Sequence, residues 1–170
     1  MKITTCILTT LILLLISRAD SFSQKEVELA NEYFSINEFD KAEKLYKDYL
    51  FDISTFDKVY NNYRTCLLKT KRLDDLDNSL KKLKKRFPEN YLIQIDLLDI
   101  QKKLGQTKNF QKGYKATLLS VKKDNYSFLV LYEELLKRSY FDLLLNFIGD
   151  ERKNRNDDFF YSWEVMEVYK

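Results

Sequence analysis

The chain has 170 residues, 45% of them hydrophobic and 32% charged, with a formal net charge of +3. That length suits one domain or one short array, and the charge is too small to imply nucleic acid by itself. Three glycines and one proline argue against sandwiches and barrels, which spend those residues on turns, and favour an all-helical chain.

Lys2 supplies a short positive region, and "ITTCILTTLILLLI", Ile3 to Ile16, is apolar apart from threonines. "SRADSFSQ" then offers small residues for cleavage. Residues 1–23 therefore read as a secretory signal peptide, cut after Ser23 or, alternatively, after Ala19. The apolar stretch is shorter than the ~20 residues that span a bilayer. Cys6 stands at its start rather than after it, which disfavours a lipid anchor. Cleavage after Ser23 leaves 27 positive and 25 negative side chains, a net charge of +2. It also leaves Cys66 alone, so the exported domain must be held by packing rather than by a disulfide. In the apolar run "CLL" that thiol reads as buried and inert.

From Ser23 the chain divides into units of 34 residues, 23–56, 57–90, 91–124 and 125–158, with 159–170 left over. The seventh position carries Leu29, Tyr63, Leu97 and Leu131. The twenty-fourth carries Tyr46, Leu80, Tyr114 and Ile148. Within a unit the apolar spacing is helical: Leu29, Tyr33, Ile36, then after a break Phe39, Ala42, Leu45, Tyr46 and Tyr49. Asn37 is expected to cap the second helix, with Asp40 in its first turn. Ser139 and Asp142 repeat that arrangement, Gly105 falls on the matching loop position, and Pro88 closes the second unit. Each unit thus predicts two short helices joined by a tight turn.

On these residues the chain resembles the tetratricopeptide repeat family. Leu29, Ala30, Tyr33, "NEFDKA" with Ala42, and Tyr46 carry most of the likeness. Tyr60, Leu67 and Pro88 add to it in the second unit. Arg64, Leu98 and Tyr132 replace the family's small residue in the first helix, and Leu76, Phe110 and Leu144 replace it in the second. Units two to four should therefore pack with wider or altered spacing. The resemblance implies an all-α, right-handed superhelical array of antiparallel helix pairs, an α-solenoid whose first helices line a concave groove. The alternative is a generic array of helical hairpins. No unit buries its apolar stripe alone; each neighbour completes the next one's core. "FFYSWEVMEVYK", residues 159–170, looks like a terminal helix or the start of a fifth repeat, as at the N-terminal end of a longer array.

The chemistry of catalysis is sparse. Histidine is absent, which excludes histidine triads, histidine general bases and the common histidine metal sites. Neither G-x-G-x-x-G nor G-x-x-x-x-G-K occurs. The acidic stretches "DDLD" (Asp74, Asp75, Asp77) and "DERKNRNDD" (Asp150 to Asp158) read as solvated surface rather than as metal ligands or acid–base pairs. No enzyme activity, cofactor or metal is expected. The basic run Lys81, Lys82, Lys84, Lys85 and Arg86 would stand outside a stripe of Leu80, Leu83 and Phe87. It reads as a solvated face, or as a weak contact with an anionic membrane surface.

The groove is the remaining candidate. In tetratricopeptide modules that clamp a C-terminal carboxylate, Asn31 and Asn62 would match the two asparagine positions. Val27, Leu92 and Asp96 stand where cations belong, so that specific activity is disfavoured. The groove register implied by the resemblance comprises Asn31, Phe34, Asn61, Asn62, Thr65, Ile95, Asp99, Leu129 and Glu133. That mixed surface suits an extended peptide or a partner helix. The expectation is an exported, periplasmic or envelope-associated, non-catalytic protein-interaction scaffold that binds no nucleic acid. A carbohydrate- or nutrient-binding envelope protein and the N-terminal sensor region of a larger receptor are the alternatives.

Overall fold

The computed structural model describes residues 24–121 and 125–158. The expected signal peptide and the expected terminal helix over 159–170 lie outside the described residues. Eight helices, and no strand, occur among the described residues. They are α1 over 24–35, α2 Phe39–Tyr49, α3 Phe56–Lys69, α4 Leu73–Arg86, α5 Tyr91–Lys103, α6 Thr107–Ser120, α7 Asn125–Lys137 and α8 Phe141–Arg155. None is long and apolar enough to cross a membrane. In chain order the eight helices alternate as first and second helices at the 34-residue spacing, α3 opening at Phe56.

The period is sharpest in the backbone. The second helices begin at Phe39, Leu73, Thr107 and Phe141, each 34 residues after the last. Just before each stands one residue with positive φ: Asn37 (64°), Lys71 (57°), Gly105 (66°) and Ser139 (57°). The same two hydrogen bonds close every first helix. The N–H groups of Asn37 and Glu38 donate to the carbonyls of Phe34 and Tyr33 at 3.1 and 2.9 Å. Lys71 and Arg72 donate to Leu68 and Leu67, Gly105 and Gln106 to Lys102 and Gln101, and Ser139 and Tyr140 to Leu136 and Leu135. This is the Schellman closure, which satisfies orphan carbonyls by placing one residue in the left-handed region. The following residue then opens the next helix, as when the Glu38 carbonyl accepts from the Ala42 N–H at 3.0 Å.

That geometry corrects the expected role of Asn37 and Ser139. The N-cap residues of α2 and α8 are Glu38 and Tyr140, and neither makes a side-chain cap hydrogen bond. A residue at positive φ one step earlier terminates the first helix instead of capping the second. Asp40 and Asp142 do stand in first turns, where the helix dipole favours negative charge.

The chain forms two compact units, divided inside α4 between Leu76 and Asp77. In the first, α2 packs against α3. Ala30, Ala42, Tyr46, Leu50, Val59, Tyr63, Cys66 and Leu67 are buried there. Cys66 is a free thiol, buried as expected. Burial, reinforced by the Glu43 carboxylate, pushes its pKa up to about 12. The buried Glu43 is itself met by Arg72 at 3.3 Å, and Arg72 also holds Asp75 at 2.6 Å.

In the second unit α5 packs against both α6 and α7, and α7 against α8. The contact of α5 with α7 joins the first helices of successive pairs. A helix covered on two sides needs apolar residues almost all round. Ile93, Ile95, Leu97, Leu98 and Ile100 are accordingly buried. So are three polar residues, Gln94, Asp96 and Gln101. The Gln94 amide donates to the Pro88 carbonyl at 2.8 Å and accepts from the Thr117 hydroxyl at 3.0 Å. Gly113 marks a close approach of α6 to α5. A Cβ there would lie 3.1 Å from Leu98 Cδ2.

Candidate functional site

Asn31 on α1 and Asn62 on α3 meet through a third residue. Tyr46 on α2 sends its hydroxyl from the core to donate to Asn31 Oδ1 at 2.6 Å. The Asn62 amide nitrogen donates to Asn31 Oδ1 at 3.2 Å and to the Tyr46 hydroxyl at 3.1 Å. Burial raises the Tyr46 pKa, with the hydrogen bond from Asn62 opposing. The hydroxyl therefore stays protonated, able to donate to one amide while accepting from the other. Phe34 is half-buried with its ring edge-on to Phe39 and Tyr46, at 5.6 and 6.5 Å between centroids. It props this cluster rather than standing open.

Beside the cluster lies a cleft of about 600 Å³, lined by Gln24, Val27, Glu28, Asn31, Ser54, Thr55 and Lys58. Glu28, Asn31 and Lys58 are exposed, so the wall offers a carboxylate, an amide and an ammonium. Thr55 is held by its hydroxyl, which donates to the Tyr49 carbonyl at 2.7 Å. Asn61 is exposed, and Thr65 is half-buried with its hydroxyl donating to the Asn61 carbonyl at 2.8 Å.

The remaining expected groove residues lie in the second unit. Leu129 and Glu133 are exposed on α7. Asp99 is half-buried and accepts from the Tyr140 hydroxyl at 3.0 Å and from Lys103 at 2.6 Å. It also borders a smaller cleft of about 280 Å³ with Lys102, Ser139, Tyr140, Phe141, Asp142 and Leu143. Ile95 is different. It is fully buried in the core shared by α5, α7 and α8, so it packs and lines no open surface. Asp96 is likewise buried, held at 2.7 Å by Arg138.

Register thus brings Asn31 and Asn62 together, with Phe34 behind them. It missed Tyr46, whose ring fills an apolar position while its hydroxyl joins the site. It also missed Glu28, Ser54, Thr55 and Lys58, the last three at the loop before α3 and in its first turn.

No group of three or more potential metal ligands gathers among the described residues. Asp75 and Asp77 are engaged by Arg72 and Lys81, and Asp150 accepts from the Tyr114 hydroxyl at 2.7 Å. The basic run on α4 is not a single outward face. Lys81 and Lys84 are half-buried, while Lys82, Lys85 and Arg86 are exposed. Burial lowers the pKa of Lys84.

The geometry defines an all-helical array in which neighbouring helices pack, compatible with a helical repeat. No protein-family profile matches the chain, and no curated protein matches it as a relative.

Proposed function

We propose that this protein is a non-catalytic interaction scaffold of the cell envelope, a tetratricopeptide-like right-handed stack that holds a peptide or partner protein against its first helices. One observation carries the reading. Asn31 and Asn62, from the first helices of successive pairs, are tied together by Tyr46 beside an open cleft. Fixed amides suit an extended backbone, which offers a donor and an acceptor at every residue. Pre-organisation also lowers the entropy lost on binding. The carboxylate and ammonium of Glu28 and Lys58 would select the ligand's side chains by charge.

The test is photo-crosslinking in envelope extract, with the reactive group placed at Lys58 and, for comparison, at Lys44 on the exposed face of α2. A defined partner should crosslink at Lys58, fade with Asn62→Ala or Glu28→Lys, and be absent at Lys44. Equal labelling at both positions, or labelling indifferent to both substitutions, would remove the cleft from the proposal.

A further inference from the structure

We infer that the outer face of α6 is a docking surface for a bilayer carrying anionic headgroups. Between Asp99 and Asp124 the chain holds seven lysines and no carboxylate. It is the longest stretch of the sequence without Asp or Glu. Among the eight described helices, α6 alone contains no acidic residue. Lys108, Lys112 and Lys115 recur at i, i+4 and i+7, so they share one helix face, and all three are exposed. Leu119 continues that face and is 76% exposed. The opposite face carries Phe110, Tyr114 and Leu118, which pack against the core.

Local stability does not account for this arrangement. Lysines three and four residues apart repel one another along a helix. Lys108 sits in the first turn, where the dipole disfavours a cation. None of the three lies within salt-bridge distance of a carboxylate among the described residues. Of the other described lysines in the same unit, Lys81, Lys102, Lys103 and Lys153 do, whereas Lys82, Lys84, Lys85 and Lys137 do not. Such a face gains by meeting a partner of opposite charge.

The shape selects a lipid surface. From Lys108 to Leu119 the stripe is roughly 16 Å long on one helix, too small for a stable protein–protein interface of ~800 Å² per side. A bilayer needs no matching contour. Lysine stems reach its phosphates while an exposed leucine enters the headgroup boundary. This surface is distinct from the basic run on α4 and from the cleft of the first unit.

The probe is whole chain with vesicles of neutral lipid, with and without about one-third anionic lipid, at low and high salt. The apolar stretch Ile3 to Ile16 contributes a charge-independent background, so the readout is the ratio of anionic to neutral binding. Lys108→Glu with Lys112→Glu and Lys115→Glu should cut that ratio about tenfold or more, since each basic residue near an anionic surface contributes severalfold. Leu119→Ser should cut anionic-vesicle binding by about threefold or more. A charge-matched control, Lys44→Glu with Lys47→Glu and Lys69→Glu, should cut the ratio far less. The α6 triple variant should keep its helical circular dichroism and melt close to the parent, because like-charge repulsion along the face is kept with its sign reversed while glutamate at position 108 suits the helix N-terminus. Equal losses for the two triple variants, an unaffected Leu119→Ser, or displacement from vesicles by charge-equivalent polyglutamate or duplex DNA would overturn the inference.

Discussion

Four residues at one repeat position take the left-handed backbone conformation, yet only one of them is glycine. For L-residues that conformation costs roughly 1–2 kcal/mol, which glycine escapes while losing more entropy on folding. Lys71→Gly should therefore raise stability by about 0.5–1 kcal/mol, with Ser139→Gly similar. Gly105 has the converse position. Its φ is +66° and a Cβ there would meet nothing within 4 Å, so Gly105→Ala isolates the backbone term and should lower stability by about 1 kcal/mol. Urea titrations of the three variants give the signs. If Gly105→Ala were neutral, the turn would be finding a second conformation. None of this was visible at Lys71, since lysine has no special taste for positive φ. The turn is imposed by the tight joint between helices, and the side chain merely tolerates it.

At the scale of the helix, periodicity was readable because the apolar stripe and the 34-residue period agree. Phe39, Leu73 and Phe141 open three of the second helices with an apolar residue, and Thr107 opens the remaining one with a polar residue. What register could not say is how far each neighbour covers a given position. Asn61, Ile95 and Leu129 are equivalent, 34 residues apart, yet the first and last are exposed and Ile95 is buried. Ile95 falls on the face of α5 that meets the core shared with α7 and α8, whereas Leu129 stands outside that core. The same cover makes Asp96 an interior charge, fully buried, with Arg138 only 11% exposed beside it. Removing one partner from such a pair leaves an uncompensated ion. Asp96→Ala should cost about 3–5 kcal/mol. Pairing Asp96→Leu with Arg138→Met should recover most of the loss, because an apolar replacement of both needs no desolvation. A double-mutant cycle by chemical denaturation reads this coupling. A double variant as unstable as Asp96→Ala would mean that Tyr140 and Glu134, which also approach the pair, depend on its charge.

Within each compact unit the decisive property is that helices of successive pairs complete one another's packing. The amide cluster illustrates it: Asn31 and Asn62 were legible as a pair because repeat register brings first helices together. Tyr46 was not, because a tyrosine in an apolar slot looks like core until its hydroxyl has a neighbour. The second unit shows the same dependence in its apolar residues. Ile95 and Leu98 of α5 are buried in one core with Phe128, Leu131 and Leu135 of α7 and Leu144 and Phe147 of α8. A chain ending at Val121 would keep α5 and α6 in full but strip that cover. Each newly exposed aliphatic side chain forfeits about 1.5–3 kcal/mol, and in a repeat array the interface between neighbours is part of each hairpin's stability. The expected outcome is loss of helix beyond the residues removed. Backbone amides of α5 should exchange with solvent at least about a hundredfold faster, corresponding to roughly 3 kcal/mol. If α5 and α6 instead kept their protection, the hairpin would be a self-sufficient fold, and the repeat reading of the second unit would fail with it.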